Sequence, residues 1–179
     1  MEGKNIVTIK EILRNRTDLN MKYEDYLKLV KKHQKDMFDL IDKTRETDKE
    51  HGFKLCYDNQ NNFFFKDKET MGKKGEISID PCGKKKDICT FHTHNYNLLP
   101  ISREDILGSL SHSDLFLCVG AQGHGEEKDE IHCYELTYDI DSISEISNSE
   151  DKKSFKKATS PLFTLKRDGS IKKRKAPYW

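Results

Sequence analysis

Two histidines one residue apart, followed by a hydroxyl and a carboxylate, are the residues of this chain whose types and spacing could do chemistry. His92 and His94 flank Thr93, and Ser102 and Asp105 follow shortly after. On a β-strand, residues two apart project from the same face, so both imidazoles could reach one metal ion. If Ser102 caps a helix, Asp105 falls in its first turn and offers a third ligand. The pattern therefore predicts a zinc site with three protein ligands.

Each half of this pattern also has a purely structural interpretation. Ser102 and Asp105, three apart before an apolar run, match a helix-capping arrangement, in which the helix dipole favours the acid without any metal. His92 and His94 alone could be a surface pair on a strand. The two halves together are more specific than either, because each supplies ligands that the other lacks.

The elements that must position these residues follow from hydrophobic periodicity. Apolar residues between 23 and about 45 recur at helical spacing, and two β-like runs flank a turn-rich stretch, which favours a hairpin. Residues 115–119 form a continuous apolar run, typical of a strand buried on both faces. The first residues are polar, although Ile6, Val7 and Ile9 favour a short strand or the start of a helix. In chain order, the predicted strands are 51–57, 63–66, 76–80, 87–91, 115–119, 131–138 and 161–165, and shorter helices are predicted at 103–111 and about 151–158.

The composition predicts one domain with a compact core. The chain has 179 residues, of which 34% are hydrophobic and 35% are charged. Because 32 Lys and Arg nearly balance 31 Asp and Glu, the net charge of +1 excludes a general attraction to nucleic acid or to membranes. No apolar run approaches the roughly 20 residues of a membrane span, and no signal-peptide core is visible, so an intracellular location is expected.

The cysteines are odd in number and contain no Cys-x-x-Cys pair. We expect most of Cys56, Cys82, Cys89, Cys118 and Cys133 to be buried thiols, with a disulfide such as Cys82 to Cys89 as the alternative. The chain closes with a basic tail at 166–179, which includes Lys172 to Lys175. Such a run is typical of a solvated terminus, and its alternative role is to bind an acidic partner or nucleic acid.

The spacing His-x-His-x7-Ser-x-x-Asp resembles the signature of the JAMM (JAB1/MPN/Mov34) zinc metalloproteases. The resemblance extends upstream, where Glu50 follows the predicted long helix and precedes a strand, as the family's catalytic glutamate does. It covers about 23–138 and includes the apolar strand at 115–119. One departure is Asn95, since many members have proline directly after the second histidine.

This resemblance implies a fold and a domain organisation. The expected fold is α/β (α+β), a single cytidine-deaminase-like JAB/MPN domain with a mixed, curved β-sheet flanked by helices. The domain would span 23–165, after a polar N-terminal segment at 1–22 and before the basic tail at 166–179.

The resemblance also implies a role for each site residue. His92, His94 and Asp105 would hold one Zn²⁺ and leave a fourth position open for water. Glu50 would be the general base and Ser102 would stabilise the oxyanion. Without the resemblance, Glu50 is most simply a solvated charge at a helix end, and Glu46 and Glu76 are the weaker alternatives for the base.

The implied activity is hydrolysis of peptide or isopeptide bonds, in particular removal of ubiquitin or a ubiquitin-like modifier from lysine. The expected partner is a protein conjugate, with a larger complex or a dimer as a further expectation. The alternative is a noncatalytic MPN-like scaffold or partner-binding module. Such scaffolds usually lack the ligands, whereas this chain has all of them.

Overall fold

The structure is a computed structural model that describes residues 19–97, 101–138 and 156–178. The helices and strands in these ranges are α1 (Tyr23–Lys32), α2 (Gln34–Thr47), β1 (His51–Asp58), β2 (Phe63–Lys66), β3 (Thr70–Met71), β4 (Lys86–Asn97), α3 (Arg103–Ser111), β5 (Phe116–Gln122), β6 (Glu130–Leu136), β7 (Thr159–Lys166) and β8 (Ile171–Lys173).

The strands form one curved, unclosed sheet in the order β2-β1-β4-β5-β6-β7-β8, and β3 also pairs with β1. Neighbouring strands are antiparallel except β4 and β5, which run parallel and are joined across one face by α3. A parallel pair needs such a crossover, because a tight turn can join only antiparallel strands. The predicted mixed α+β architecture is confirmed at this level.

The core lies on both faces of the sheet around β5, in which all seven residues are buried. On one face, α1 and α2 pack against the aromatic residues of β1 and β4, among them Phe53 and Phe91. On the other face, Ile106 and Leu110 of α3 pack against Leu117 and Val119 of β5. The prediction of a central strand buried on both faces is therefore confirmed, with its start and end shifted by one and three residues.

The helical region predicted at 23–45 is two helices rather than one. The break falls at His33, and α2 continues to Thr47, where Asp48 ends it in the left-handed conformation at φ 56°. A residue at this position satisfies the last helical carbonyls and turns the chain sharply. Glu50 therefore lies directly before β1, as the resemblance requires.

The predicted hairpin at 51–66 is confirmed as β1 and β2, but the strand predicted at 76–80 is wrong. Apart from the isolated bridge between Lys73 and Glu76, this segment is irregular. Both edges of β1 are occupied, by β2 and β3 on one side and by β4 on the other, and β5 pairs with the remaining edge of β4. The segment therefore has no free edge of β1 or β4 to join, although its composition favours a strand.

The segment predicted to be a solvated basic tail joins the sheet in part. Residues 171–173 form β8 on the edge of β7, and Tyr178 makes a β-bridge with Ile101. Tyr134 donates a hydrogen bond from its hydroxyl to the carbonyl of Pro177. Ile171 and Tyr178 supply apolar contacts that hold the segment, while residues 172–175 between them are exposed.

Four cysteines form disulfides, so the expectation of mostly free thiols is wrong. Cys56 on β1 pairs with Cys82, and Cys118 pairs with Cys133, its register partner across β5 and β6. Cys89, the residue considered as a partner for Cys82, is a buried free thiol. Disulfides of this kind are typical of proteins in oxidising compartments.

One predicted element and most of another fall outside the described residues. These are the N-terminal element around 6–13 and residues 151–155 of the predicted helix at 151–158, of which the structure describes a helical turn at 156–158. Among the helices that the structure describes, none has the length and apolar character needed to cross a membrane.

Candidate metal centre

Three side chains from β4 and α3 converge at the carboxyl end of β4. The Nε2 atoms of His92 and His94 lie 3.1 Å apart. Asp105 reaches both, with Oδ1 at 2.9 Å from His92 Nε2 and Oδ2 at 3.1 Å from His94 Nε2. Both histidines are buried and the carboxylate is only about one-tenth exposed. The three residues predicted as ligands are thus brought to one point.

This geometry fits a metal ion. Two ligand atoms bound at 2.0–2.1 Å to a tetrahedral ion are about 3.3 Å apart, close to the separations between these donors. Two imidazole nitrogens and one carboxylate oxygen are also a donor set that proteins use for divalent metals. His92, His94 and Asp105 could therefore hold a metal ion.

The opposite face of β4 fixes the orientation of the two histidines. Thr93 points away from them, and its hydroxyl contacts Thr44 of α2 and accepts the backbone N–H of His51 at 3.0 Å. Gly52 is the register partner of His92, and a Cβ at Gly52 would lie 2.9 Å from the His92 Cβ and 2.6 Å from Ile79. Only glycine therefore allows β1 to approach the site so closely.

The first turn of α3 fixes Asp105. Its Oδ2 accepts the backbone N–H of Ser102 at 2.9 Å, and Ser102 Oγ accepts the N–H of Asp105 at 3.2 Å. This reciprocal pair is a capping box. The capping interpretation of the sequence is confirmed, and the cap holds the carboxylate beside the imidazoles, where it could also serve as a metal ligand.

Mutual attraction governs the charges of these three residues. Burial acts to raise the pKa of Asp105, but the adjacent His92 and His94 outweigh it and hold that pKa well below its usual value. Burial likewise acts to lower the pKa of His92, but the effect of the Asp105 carboxylate is stronger, and the pKa of His92 is raised above its ordinary value. Asp105 is therefore an anion over the whole neutral range, as a metal ligand must be.

Glu50 lies beside this centre at the start of β1. Its backbone is tied to the next segment by hydrogen bonds with Lys73 and Gly72, and its side chain is almost fully buried. Burial raises the pKa of the Glu50 carboxyl above its ordinary value, while His92 and His94 act in the opposite direction. Of the three acids considered for the base, Glu50 is the one buried at the site, whereas Glu46 and Glu76 are exposed.

A groove of about 500 Å³ opens above the centre. Its floor is formed by Thr90, His92 and His94, which alternate along one face of β4. One wall is α3 and the other is the irregular segment 75–79, which includes Ile77 and Ile79. Glu50, Ser102 and Asp105 also line the groove, so the predicted site residues all face one space.

Asn95, the departure from the family pattern, has a role that the sequence did not reveal. Its Oδ1 accepts the N–H of Gly75 at 2.7 Å, and its Nδ2 donates to Asp48 at 3.1 Å. Gln122 donates from its side chain to the carbonyls of His94 and Asn95. The asparagine thus fastens the groove wall at Gly75 to the end of β4, which a proline could not do.

Sequence reasoning also missed a second polar cluster at the far end of the groove, formed by Asp87, His112 and Asp114. These residues have donor atoms close enough to hold a metal ion. However, the Nζ atom of Lys54, which is 1% exposed, contacts both carboxylates and His112. The ammonium therefore takes the position of a cation there. The one signal in the sequence was a lysine within an otherwise apolar strand.

Comparison of the sequence with protein-family models gave no match, and comparison with curated proteins gave none either. The resemblance to the JAMM metalloproteases therefore depends on the residues of the motif and their arrangement.

Proposed function

We propose that this protein is a zinc-dependent hydrolase of peptide or isopeptide bonds, with the architecture of a JAB/MPN domain. One observation carries the proposal: three ligand atoms meet on the floor of a groove, next to a buried carboxylate with a raised pKa. A structural metal site has four protein ligands and is closed, whereas three ligands beside an open groove are typical of a catalytic site.

Zinc is the metal that best suits this centre. The donor set of His92, His94 and Asp105 resembles the two imidazoles and one carboxylate of zinc hydrolases. Bound there, zinc would supply Lewis acidity, which makes a water molecule acidic near neutral pH and polarises a carbonyl group.

Glu50 acts as the proton carrier in this proposal. As a carboxylate it takes a proton from the attacking water, and it then delivers that proton to the leaving amine. A base works best when its pKa lies near the operating pH, and burial moves the pKa of Glu50 in that direction.

Ser102 stabilises the negative charge that develops on the carbonyl oxygen. Its Oγ accepts the N–H of Asp105, so its hydroxyl proton remains for a second partner. The residue lines the groove and the capping box holds it in place. A donor aimed at developing charge typically contributes about 100- to 1,000-fold in kcat.

The proposed substrate is an isopeptide bond between a ubiquitin-like modifier and a lysine. The groove follows one face of β4 from Thr90 to His94 and has apolar side chains on one wall, which suits an extended chain terminus. The metal ligands, the carboxylate of Glu50 and the hydroxyl of Ser102 line one groove. This arrangement favours a hydrolase over a noncatalytic scaffold, because a scaffold needs none of these groups.

The test combines metal content with cleavage. Purified protein should bind one zinc per chain and should cleave lysine-linked ubiquitin-like conjugates or an internally quenched isopeptide. Glu50→Gln should keep its zinc and lose activity by about 100-fold or more, since general base catalysis typically contributes 100- to 10,000-fold. The matched control, Glu46→Gln, changes an exposed acid of α2 and should retain full activity.

Equal cleavage by the wild type and Glu50→Gln would overturn the role of Glu50. A zinc-loaded protein that cleaves no peptide or isopeptide would overturn the proposed function itself.

A further inference from the structure

The groove continues beyond the metal centre towards the cluster around Lys54. Because α3 runs antiparallel to β4, its last turn lies over the beginning of that strand. Asp105, Gly108, Ser109 and His112 line the groove at spacings of three, four and seven, which places them on one face of α3. His112 therefore marks the end of the groove opposite the ligands.

The length of the groove corresponds to several residues of an extended peptide. Thr90 and His94 are four strand residues apart, or roughly 13 Å. Asp105 and His112 are seven helical residues apart, or roughly 10 Å. An extended chain that passes the metal centre thus reaches His112 three to four residues from the bond to be cut.

The hydrogen bonds of Lys54 determine which nitrogen of His112 carries a proton. The ammonium contacts four groups, namely Thr90 Oγ1 at 2.8 Å, Asp114, Asp87 Oδ2 at 3.0 Å and His112 Nδ1 at 3.1 Å. An ammonium can donate but cannot accept, so a proton on Nδ1 would point at another donor, and Nδ1 therefore faces Lys54 with its lone pair. The imidazole is then neutral and carries its proton on Nε2.

The charges around the cluster support this assignment. Burial acts to lower the pKa of Lys54, but the nearby carboxylates of Asp114 and Asp87 have the stronger effect. The pKa of Lys54 is therefore raised, and the amine stays charged. Burial and the adjacent Lys54 lower the pKa of His112, against the opposing effect of Asp114, Asp87 and Asp80.

The Nε2 atom of His112 has no hydrogen-bond partner among the residues that the structure describes, and the ring lines the groove at 20% exposure. Gly108, one turn earlier, leaves open space above it, since a Cβ built there meets no atom within 4 Å. The far end of the groove thus presents one neutral N–H donor with room for a chain beside it.

We propose that His112 is a substrate-binding residue whose Nε2–H donates to a main-chain carbonyl three to four residues from the scissile bond, and that Lys54 is the positioning residue that fixes its tautomer. The inference rests on the proposed function, because it assigns a subsite to the same groove. A neutral carbonyl fits better than a carboxylate, since Asp87 and Asp114 together outweigh the charge of Lys54.

Two substitutions distinguish the role of Nε2, which faces the groove, from that of Nδ1, which faces Lys54. His112→Asn retains an oxygen near the position of Nδ1, which satisfies Lys54, but it has no donor at the position of Nε2. His112→Gln places an amide N–H near that position. The exposed His124, outside the groove, provides the matched control as His124→Asn.

The probe is an internally quenched isopeptide with five residues on each side of the scissile bond. His112→Asn should raise its KM about three- to tenfold, as expected for the loss of one hydrogen bond, and leave kcat nearly unchanged. His112→Gln and His124→Asn should resemble the wild type. For a shorter probe with two residues on each side, His112→Asn and wild type should have the same KM.

An equal effect of His112→Asn on the long and short probes would overturn the subsite, because the effect would then be structural. An unchanged KM with the long probe would overturn it as well.

Two measurements keep this inference separate from the proposed function. On the Glu50→Gln background, fluorescence anisotropy gives the Kd of the long probe without turnover, and His112→Asn should weaken it by the same factor. Nitrogen-15 NMR of the wild-type imidazole should show His112 protonated at Nε2 and unprotonated at Nδ1. A proton on Nδ1 would overturn the assignment, whether or not the protein is a hydrolase.

Discussion

Asp105 uses one carboxylate oxygen both to accept the backbone N–H of Ser102 at 2.9 Å and to face His94 at 3.1 Å. The start of α3 and the metal centre therefore depend on the same atom. A change at Ser102 affects the helix cap, whereas a change at Asp105 affects the cap and the ligand set together.

Asp105→Asn should reduce zinc affinity by more than about 100-fold, because it neutralises a direct ligand. Loss of a residue that only hydrogen-bonds to a ligand typically reduces metal affinity by about 10- to 100-fold. Its amide oxygen can still accept the Ser102 N–H. The matched control, Ser102→Ala, should lose about 1 kcal/mol of stability with the cap and retain one zinc per chain. Competition titration with a chelator measures the affinity, and equal affinities for both variants would remove Asp105 from the ligand set.

The pKa of Glu50 should lie above its ordinary value in protein stripped of metal, because burial disfavours its charged form. Glu76 also raises this pKa, so Glu76→Gln should lower it. Binding of a divalent cation should lower it further. Carboxyl carbon-13 NMR titration measures each value. A pKa at or below the ordinary one in the metal-free protein would contradict the prediction.

His132 should make the protein sensitive to acid. Burial, followed by the effect of His94, lowers its pKa from 6.5 to about 4. Between pH 4 and pH 6.5 the unfolded chain therefore binds more protons at His132 than the folded protein does. The contribution of this residue to the free energy of unfolding is complete above about pH 6.5 and is lost as the pH falls to 4, a decrease of about 3 kcal/mol. Its Nδ1 donates to Thr164 at 3.1 Å, because the Thr164 hydroxyl donates to Lys175.

His132→Asn keeps an N–H for Thr164 and removes the titrating group. Urea denaturation at pH 7 and pH 4 should show a smaller loss of stability for this variant than for the wild type or for His124→Asn. An identical loss in all three proteins would assign the acid sensitivity to other groups.

Lys54→Met should destabilise the protein by about 3–5 kcal/mol, because it leaves Asp87 and Asp114 without their counter-ion in the interior. The control is Lys35→Met, which breaks the exposed pair with Asp39 and should leave the free energy of unfolding unchanged within error. Chemical denaturation measures both. A mild effect at Lys54 would show that the two carboxylates are neutral or solvated.

Gly108→Ala should stabilise the protein by up to about 1 kcal/mol, since alanine favours a helix and the new methyl group meets open space. Gly108→Leu should instead fill the groove and raise the KM for a peptide probe. Thermal unfolding and steady-state kinetics check the two effects. A leucine variant with unchanged KM would mean that substrate does not pass this turn of α3.

The sequence was informative where one local rule decides the structure. The spacing of His92 and His94 places them on one face of a strand, and Ser102 with Asp105 starts a helix, because both patterns depend only on neighbouring residues. The apolar run at 115–119 likewise indicated the central strand. The prediction of a strand at 76–80 was wrong because the neighbouring strands β1 and β4 are already paired on both edges, which no local pattern reports.

The sequence by itself determined the candidate donor atoms, their spacing and the elements that carry them. Only the tertiary structure decided which groups meet, namely Asp105 with both imidazoles, Glu50 with the groove, and Lys54 with His112. The reason is physical: local spacing sets the direction of a side chain, whereas its partners, burial and pKa depend on residues far away in the sequence that packing brings together, as with Lys54 and Asp114, 60 positions apart.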